Sequence, residues 1–131
     1  MEIVADTNVL LAVALGEPER AWLIEATAAT DLVAPALQPY EIGNALSALA
    51  RRNALSATQA LTACRLANTI PVELVEIDVL AALELATRFH IYAYDAYFLQ
   101  CALARHCPLL TLDRAMCRIA ESLRIEIVSR P

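Results

Sequence analysis

Short unbroken apolar runs alternate along this chain with longer stretches of helical periodicity. Ile3-Val4-Ala5 and Leu32-Val33-Ala34 are too short for helices and suit strands buried on both faces. Pro108 to Leu112 predicts another such strand, while Val72 to Ile77 and Ile125 to Val128 alternate with period two. Between the strands the apolar period lengthens. Val9 to Leu15 predicts a helix stopped by Gly16, and Pro18 predicts the opening of a second through Trp22 and Ile24. Ile42, Ala45, Leu46 and Leu49 share one face of a long helix from Gln38 to Arg52. Ser56 caps a helix over Ala57 to Ala67, Asp78 caps one through Ala86, Tyr94 or Asp95 opens one through Leu103, and Asp113 caps one to Leu123. Strands alternating with helices, without hairpin turn signals, predict the α/β class: one domain over 1–131, a mostly parallel five-stranded sheet with helices on both faces.

Composition sharpens this picture. The chain of 131 residues is 59% hydrophobic, and its mean hydropathy is +0.51. No apolar run approaches the length that spans a bilayer, so the excess predicts a large core plus a buried interface, as in a homodimer. Glu2 and Asp6 stand where a secretory leader is basic, and Cys64, Cys101, Cys107 and Cys117 form no CxxC pair. Both features predict a cytoplasmic protein with free thiols. The net charge is −5, all ten basic residues are Arg, and Gly16 and Gly43 are the only glycines. An acidic surface counts against a grip on nucleic acid by charge alone. Two isolated glycines exclude a P-loop and a dinucleotide fingerprint. The absence of Lys argues against phosphoaspartate receivers and haloacid-dehalogenase-type phosphatases, which use one in the pocket.

Four acids remain to be explained. Asp6 ends the first strand and Asp113 the fourth, while Glu41 and Asp95 lie in the first turns of helices. Helices of an α/β sheet start at its carboxyl edge, the edge where such folds bind ligands. Taken singly, Asp6, Asp95 and Asp113 read as helix caps, as Asp78 does. Glu41 tilts the set, because Glu is a poor cap, and so does the scarcity of Asp. Four converging carboxylates cannot all stay ionised without compensation. Oxygen-only ligands with no His or Cys nearby select a hard cation, Mg²⁺ or Mn²⁺. Such a site polarises a phosphodiester and generates a hydroxide nucleophile.

Val4-Ala5-Asp6-Thr7-Asn8, Pro39-Tyr40-Glu41-Ile42-Gly43-Asn44-Ala45-Leu46, Tyr94-Asp95-Ala96 and Leu110-Thr111-Leu112-Asp113 occur in this order. In these pieces, and over essentially its whole length, the chain resembles the PIN-domain family, and within it the VapC-type ribonuclease toxins of toxin–antitoxin pairs. The resemblance implies a five-stranded parallel sheet with the first strand central. It implies a Mg²⁺- or Mn²⁺-dependent endoribonuclease that cuts RNA and is held inactive by a small antitoxin protein. Asp6, Glu41, Asp95 and Asp113 then carry over as catalytic metal ligands. Thr7 and Thr111 match hydroxyl positions that order water or a ligand, and Asn8 and Asn44 are candidates to hold the ligands in place.

Other residues carry less. Arg114, next to Asp113, is a candidate phosphate contact, whereas Arg51-Arg52 suit a helix C-terminus. Tyr92, Tyr94 and Tyr97 have the chemistry to stack on bases but more often pack at a rim. Ser47 and Ser56 have no His or Lys base in the pattern, so a serine nucleophile is not expected. The competing reading is a non-catalytic binding module whose acids are merely caps.

Overall fold

A computed structural model describes residues 1–130. Its elements in chain order are β1 (Glu2–Ala5), α1 (Thr7–Ala14), α2 (Arg20–Thr27), β2 (Asp31–Pro35), α3 (Gln38–Arg51) and α4 (Ala57–Asn68). They continue with β3 (Val72–Val75), α5 (Val79–Phe89), α6 (Ala93–Arg105), β4 (Leu109–Leu110) and α7 (Arg114–Ser122). The strands form one parallel sheet in the order β3-β2-β1-β4, with β1 in the interior.

Period-two alternation on β1 divides the core. Ile3 and Ala5 face one layer with Val9, Leu10, Ile42, Leu46 and Ala63 of α1, α3 and α4. Val4 faces the other, with Phe98, Leu99, Met116 and Ala120 of α6 and α7. The apolar runs of the strands are therefore covered on both sides, as their composition requires. Ser56 and Gln59 close a reciprocal capping box on α4, and Asp78 accepts from the Ala81 N–H to cap α5. Gly16 ends α1 at φ +68°, a conformation that favours glycine.

Three boundaries differ from expectation. The sheet has four strands among the described residues, not five. The segment Ile125–Val128 contributes a single parallel rung, Leu109 to Ile127, made by Leu109 N–H to Glu126 O (2.9 Å) and Val128 N–H to Leu109 O (3.0 Å). It goes no further because β4 is only two residues long. Pro108 has no N–H to donate, and the Leu112 N–H is diverted to the Asn8 side chain at 3.2 Å. Pro18 lies in the turn before α2 rather than opening it, and α2 has no side-chain cap. Finally, α6 starts at Ala93, so Asp95 is its third residue and caps nothing.

Candidate active site

The strand order decides what meets at the carboxyl edge. Because β4 pairs beside β1, Thr111 and Asp113 arrive next to Asp6 from over a hundred residues away. Because α3 packs across β1, Glu41 arrives from the other side. The Asp6 N–H is fixed to Leu110 O at 2.9 Å. The Ala5 carbonyl just before it accepts from Gln38 Nε2 at 2.8 Å.

Asp6 is 8% exposed. Its Oδ1 accepts from the Thr7 N–H at 2.8 Å, and its Oδ2 from Thr111 Oγ1 at 2.7 Å and Asn8 Nδ2 at 3.3 Å. Asn8 also donates to Thr111 Oγ1 at 3.3 Å, and Thr111 Oγ1 accepts from the Asp113 N–H at 3.1 Å. Thr7 Oγ1 donates to Glu41 Oε1 at 2.6 Å. Asp113 does cap α7, its Oδ1 accepting from the N–H groups of Ala115 (2.8 Å) and Met116 (3.3 Å). Asp95 is half-buried, and among the described residues no donor reaches its carboxylate.

The electrostatics follow from this placement. Burial pushes the Asp6 carboxyl up to about 6, the Thr111 hydroxyl and Thr7 amide oppose the shift, and the charges of Asp95 and Asp113 add to it. Burial raises Glu41, against the Thr7 hydroxyl and with the charges of Asp6 and Asp95. Burial and then Asp113 raise Asp95. The four acids thus lie within one another's field. No cation offsets them: among the described residues the ion pairs are Arg105 with Glu2 (2.6 Å) and with Glu73 (3.1 Å), at the opposite end of the sheet.

The cluster is nevertheless open. Among the described residues no three carboxyl, imidazole or thiol groups are close enough to grip one ion as they stand. The donor set still fits a hard dication, since it offers carboxylate and hydroxyl oxygens, concentrated negative charge and no nitrogen or sulfur.

Asn44, a turn beyond Glu41, is exposed and makes no side-chain hydrogen bond to the acids. Arg114 is exposed at the start of α7 and forms no ion pair among the described residues. A cavity of about 400 Å³ opens beside Thr7 and Glu41, lined also by Leu37, Tyr40, Asn44 and Tyr94.

Two contributors escaped the sequence reading. Gln38 is fully buried behind Asp6, although a polar residue opening a helix looks solvent-facing. Tyr40 walls the cavity, and its position directly before Glu41 was the available signal. No helix among the described residues is long and apolar enough to cross a membrane.

Comparison with known proteins bears on the fold and the family. No curated protein matched the sequence. The structure is similar to PAE2754 from Pyrobaculum aerophilum, with a TM-score of 0.71 and 23% identity, over 97% of this chain and 83% of that one. It is also similar to VapBC2 from Rickettsia felis, crystallised bound to a DNA fragment from its promoter, with a TM-score of 0.70 and 15% identity, over 98% of both chains. At these identities the likeness concerns the fold. The PIN domain family model matches residues 3–122, which contain all four acids, and the chain belongs to that family.

Proposed function

We propose that this chain is a divalent-metal-dependent endoribonuclease and the toxin of a toxin–antitoxin pair. The observation that carries the reading is the uncompensated cluster of Asp6, Glu41, Asp95 and Asp113 at the carboxyl edge, buried enough to shift three of the four carboxyls upward. Family membership and the fold likeness to VapBC2 support it.

Asp6, Asp95 and Asp113 would hold Mg²⁺ or Mn²⁺, with Glu41 as a further ligand or as the group that positions the attacking water. When bound, the ion polarises the scissile phosphodiester and lowers the pKa of the attacking water. The chain's own residues set the stage. Thr111 and Asn8 hold the Oδ2 of Asp6 and the Thr7 N–H holds its Oδ1, which together orient the carboxylate. Thr7 aims Glu41 by holding Oε1 and leaving Oε2 available. Asp113 offers Oδ2 while Oδ1 anchors it to α7. A small antitoxin protein would silence the site, and the apolar surface of the chain suits a homodimer.

Purified protein incubated with total cellular RNA tests the reading, with Mg²⁺, Mn²⁺ and EDTA lanes and Asp95→Asn as the control for contaminating ribonuclease. Discrete metal-dependent products absent from the variant are expected. Identical lanes for parent and variant would overturn the assignment. They would favour the binding-module reading, to which the open cluster and the capping role of Asp113 lend their weight.

A further inference from the structure

Each acid that lies in the first turn of its helix is preceded by a tyrosine: Tyr40 before Glu41 and Tyr94 before Asp95. Both tyrosines wall the same cavity of about 400 Å³, which opens beside Thr7 and Glu41. Tyr40 is 81% exposed and Tyr94 59% exposed, and they stand on different helices, α3 and α6. Tyr94 is held edge-to-face by Tyr97, with ring centroids 6.2 Å apart. That contact orients one ring before any ligand arrives. Rings this exposed contribute little to the core, and their faces are available to a ligand in the cavity.

We infer that Tyr40 and Tyr94 are positioning residues that stack on unpaired bases of single-stranded RNA and so seat the chain beside the acids. This rests on the ribonuclease reading, and it supplies what that reading lacks, a source of affinity. The net charge of −5, without a single Lys, gives the phosphate backbone little to hold. Stacking needs no charge on the protein and tolerates sequence, because every base has a π-face. A duplex keeps its bases stacked on one another and offers these rings nothing. Glu41 and Thr7 line the same cavity as both rings, so a base held there sets the adjoining phosphate beside Glu41 at the edge of the cluster.

The test uses an Asp113→Asn background, in which the remaining carbonyl oxygen still caps α7 while cleavage is expected to stop. Binding of a fluorescent 12-nucleotide single-stranded RNA is read by anisotropy in Mg²⁺, beside the same strand in a duplex. Tyr40→Ala and Tyr94→Ala should each weaken single-strand binding roughly tenfold, the range of one lost base–aromatic contact. Tyr40→Phe and Tyr94→Phe should restore it within about threefold, since the ring and not the hydroxyl does the holding. The duplex should bind more weakly than the single strand. In the cleavage-competent protein the same alanine changes should raise KM and leave kcat within about threefold.

Single-strand affinity unchanged in both alanine variants would overturn the inference and leave the rings to a protein partner. Phenylalanine variants as weak as the alanine ones would overturn it as well. Absence of metal-dependent cleavage in the parent protein would defeat the ribonuclease reading alone, because anisotropy decides the stacking without any turnover.

Discussion

Replacing Asp6 with Asn probes the charge balance of the cluster without reference to any activity. Burial holds this carboxyl at about 6 instead of 3.8. The folded state therefore binds its proton more tightly than the unfolded chain does. The stability this contributes is complete below pH 3.8 and is lost as pH rises through about 6. The whole difference is about 3 kcal/mol at 1.36 kcal/mol per tenfold in proton affinity, and about 2 kcal/mol of it falls between pH 4 and pH 7.5. Asn carries no such charge, so its stability lacks this slope.

The amide has its own cost. Its oxygen can keep the Thr7 N–H, but an NH₂ in place of Oδ2 faces the Asn8 amide and cannot accept from Thr111. That loss is about 1–2 kcal/mol and independent of pH. The decisive quantity is accordingly the change with pH in the difference between the two proteins. Thermal unfolding in EDTA should show the variant below the parent at pH 4 and above it at pH 7.5. The difference in Tm should move by about 8 °C, taking roughly 2.1 cal/mol/K of unfolding entropy per residue. A difference that stays constant across this range would refute the buried, mutually repelling cluster.

Three further outcomes follow from the same geometry. Saturating Mn²⁺ should raise the Tm of the parent at pH 7.5, as about 2.7 kcal/mol at a hundredfold excess over Kd, and EDTA should reverse it; Asp95→Asn, which removes an acceptor without disturbing any cap, should blunt the rise in the same scan. Asp113→Asn and Asp113→Ala should both abolish RNA cleavage, but only the alanine variant should lose stability, by about 1 kcal/mol for the missing cap, so denaturant midpoints separate the two roles of this side chain. Gln38→Leu should leave the Ala5 carbonyl without its donor at a cost of about 1–3 kcal/mol, and a urea midpoint within error of the parent would remove Gln38 from the support of Asp6.

Much of this protein was legible in its residues. Unbroken apolar runs such as Ile3-Val4-Ala5 announced strands covered on both faces, because only a parallel sheet between helical layers buries both sides of a strand. Ser56 and Asp78 announced helix starts, because capping is chemistry between residues three apart and needs no tertiary contact. The four acids were legible by type and by their place at strand and helix ends, which a parallel topology sends to one edge.

Non-local partners were beyond any periodicity. Only the pairing of β4 beside β1 brings Thr111 onto Asp6, where its hydroxyl opposes the upward shift that burial imposes on that carboxyl. The same pairing diverts the Leu112 N–H to Asn8, which shortens β4 and reduces the expected fifth strand to one rung. Asp6, Asp95 and Asp113 all looked like caps; Asp6 caps α1 through the Thr7 N–H and Asp113 caps α7 through two amides, while Asp95 sits two residues inside α6. Gln38 and Tyr40 gained their places from how α3 crosses β1, one turned inward to a carbonyl and the other outward to the cavity. Local sequence sets which elements form, since propensity and capping act over a few residues. The side chains that meet are decided by strand order and layer packing, which depend on burying apolar surface across the whole chain at once.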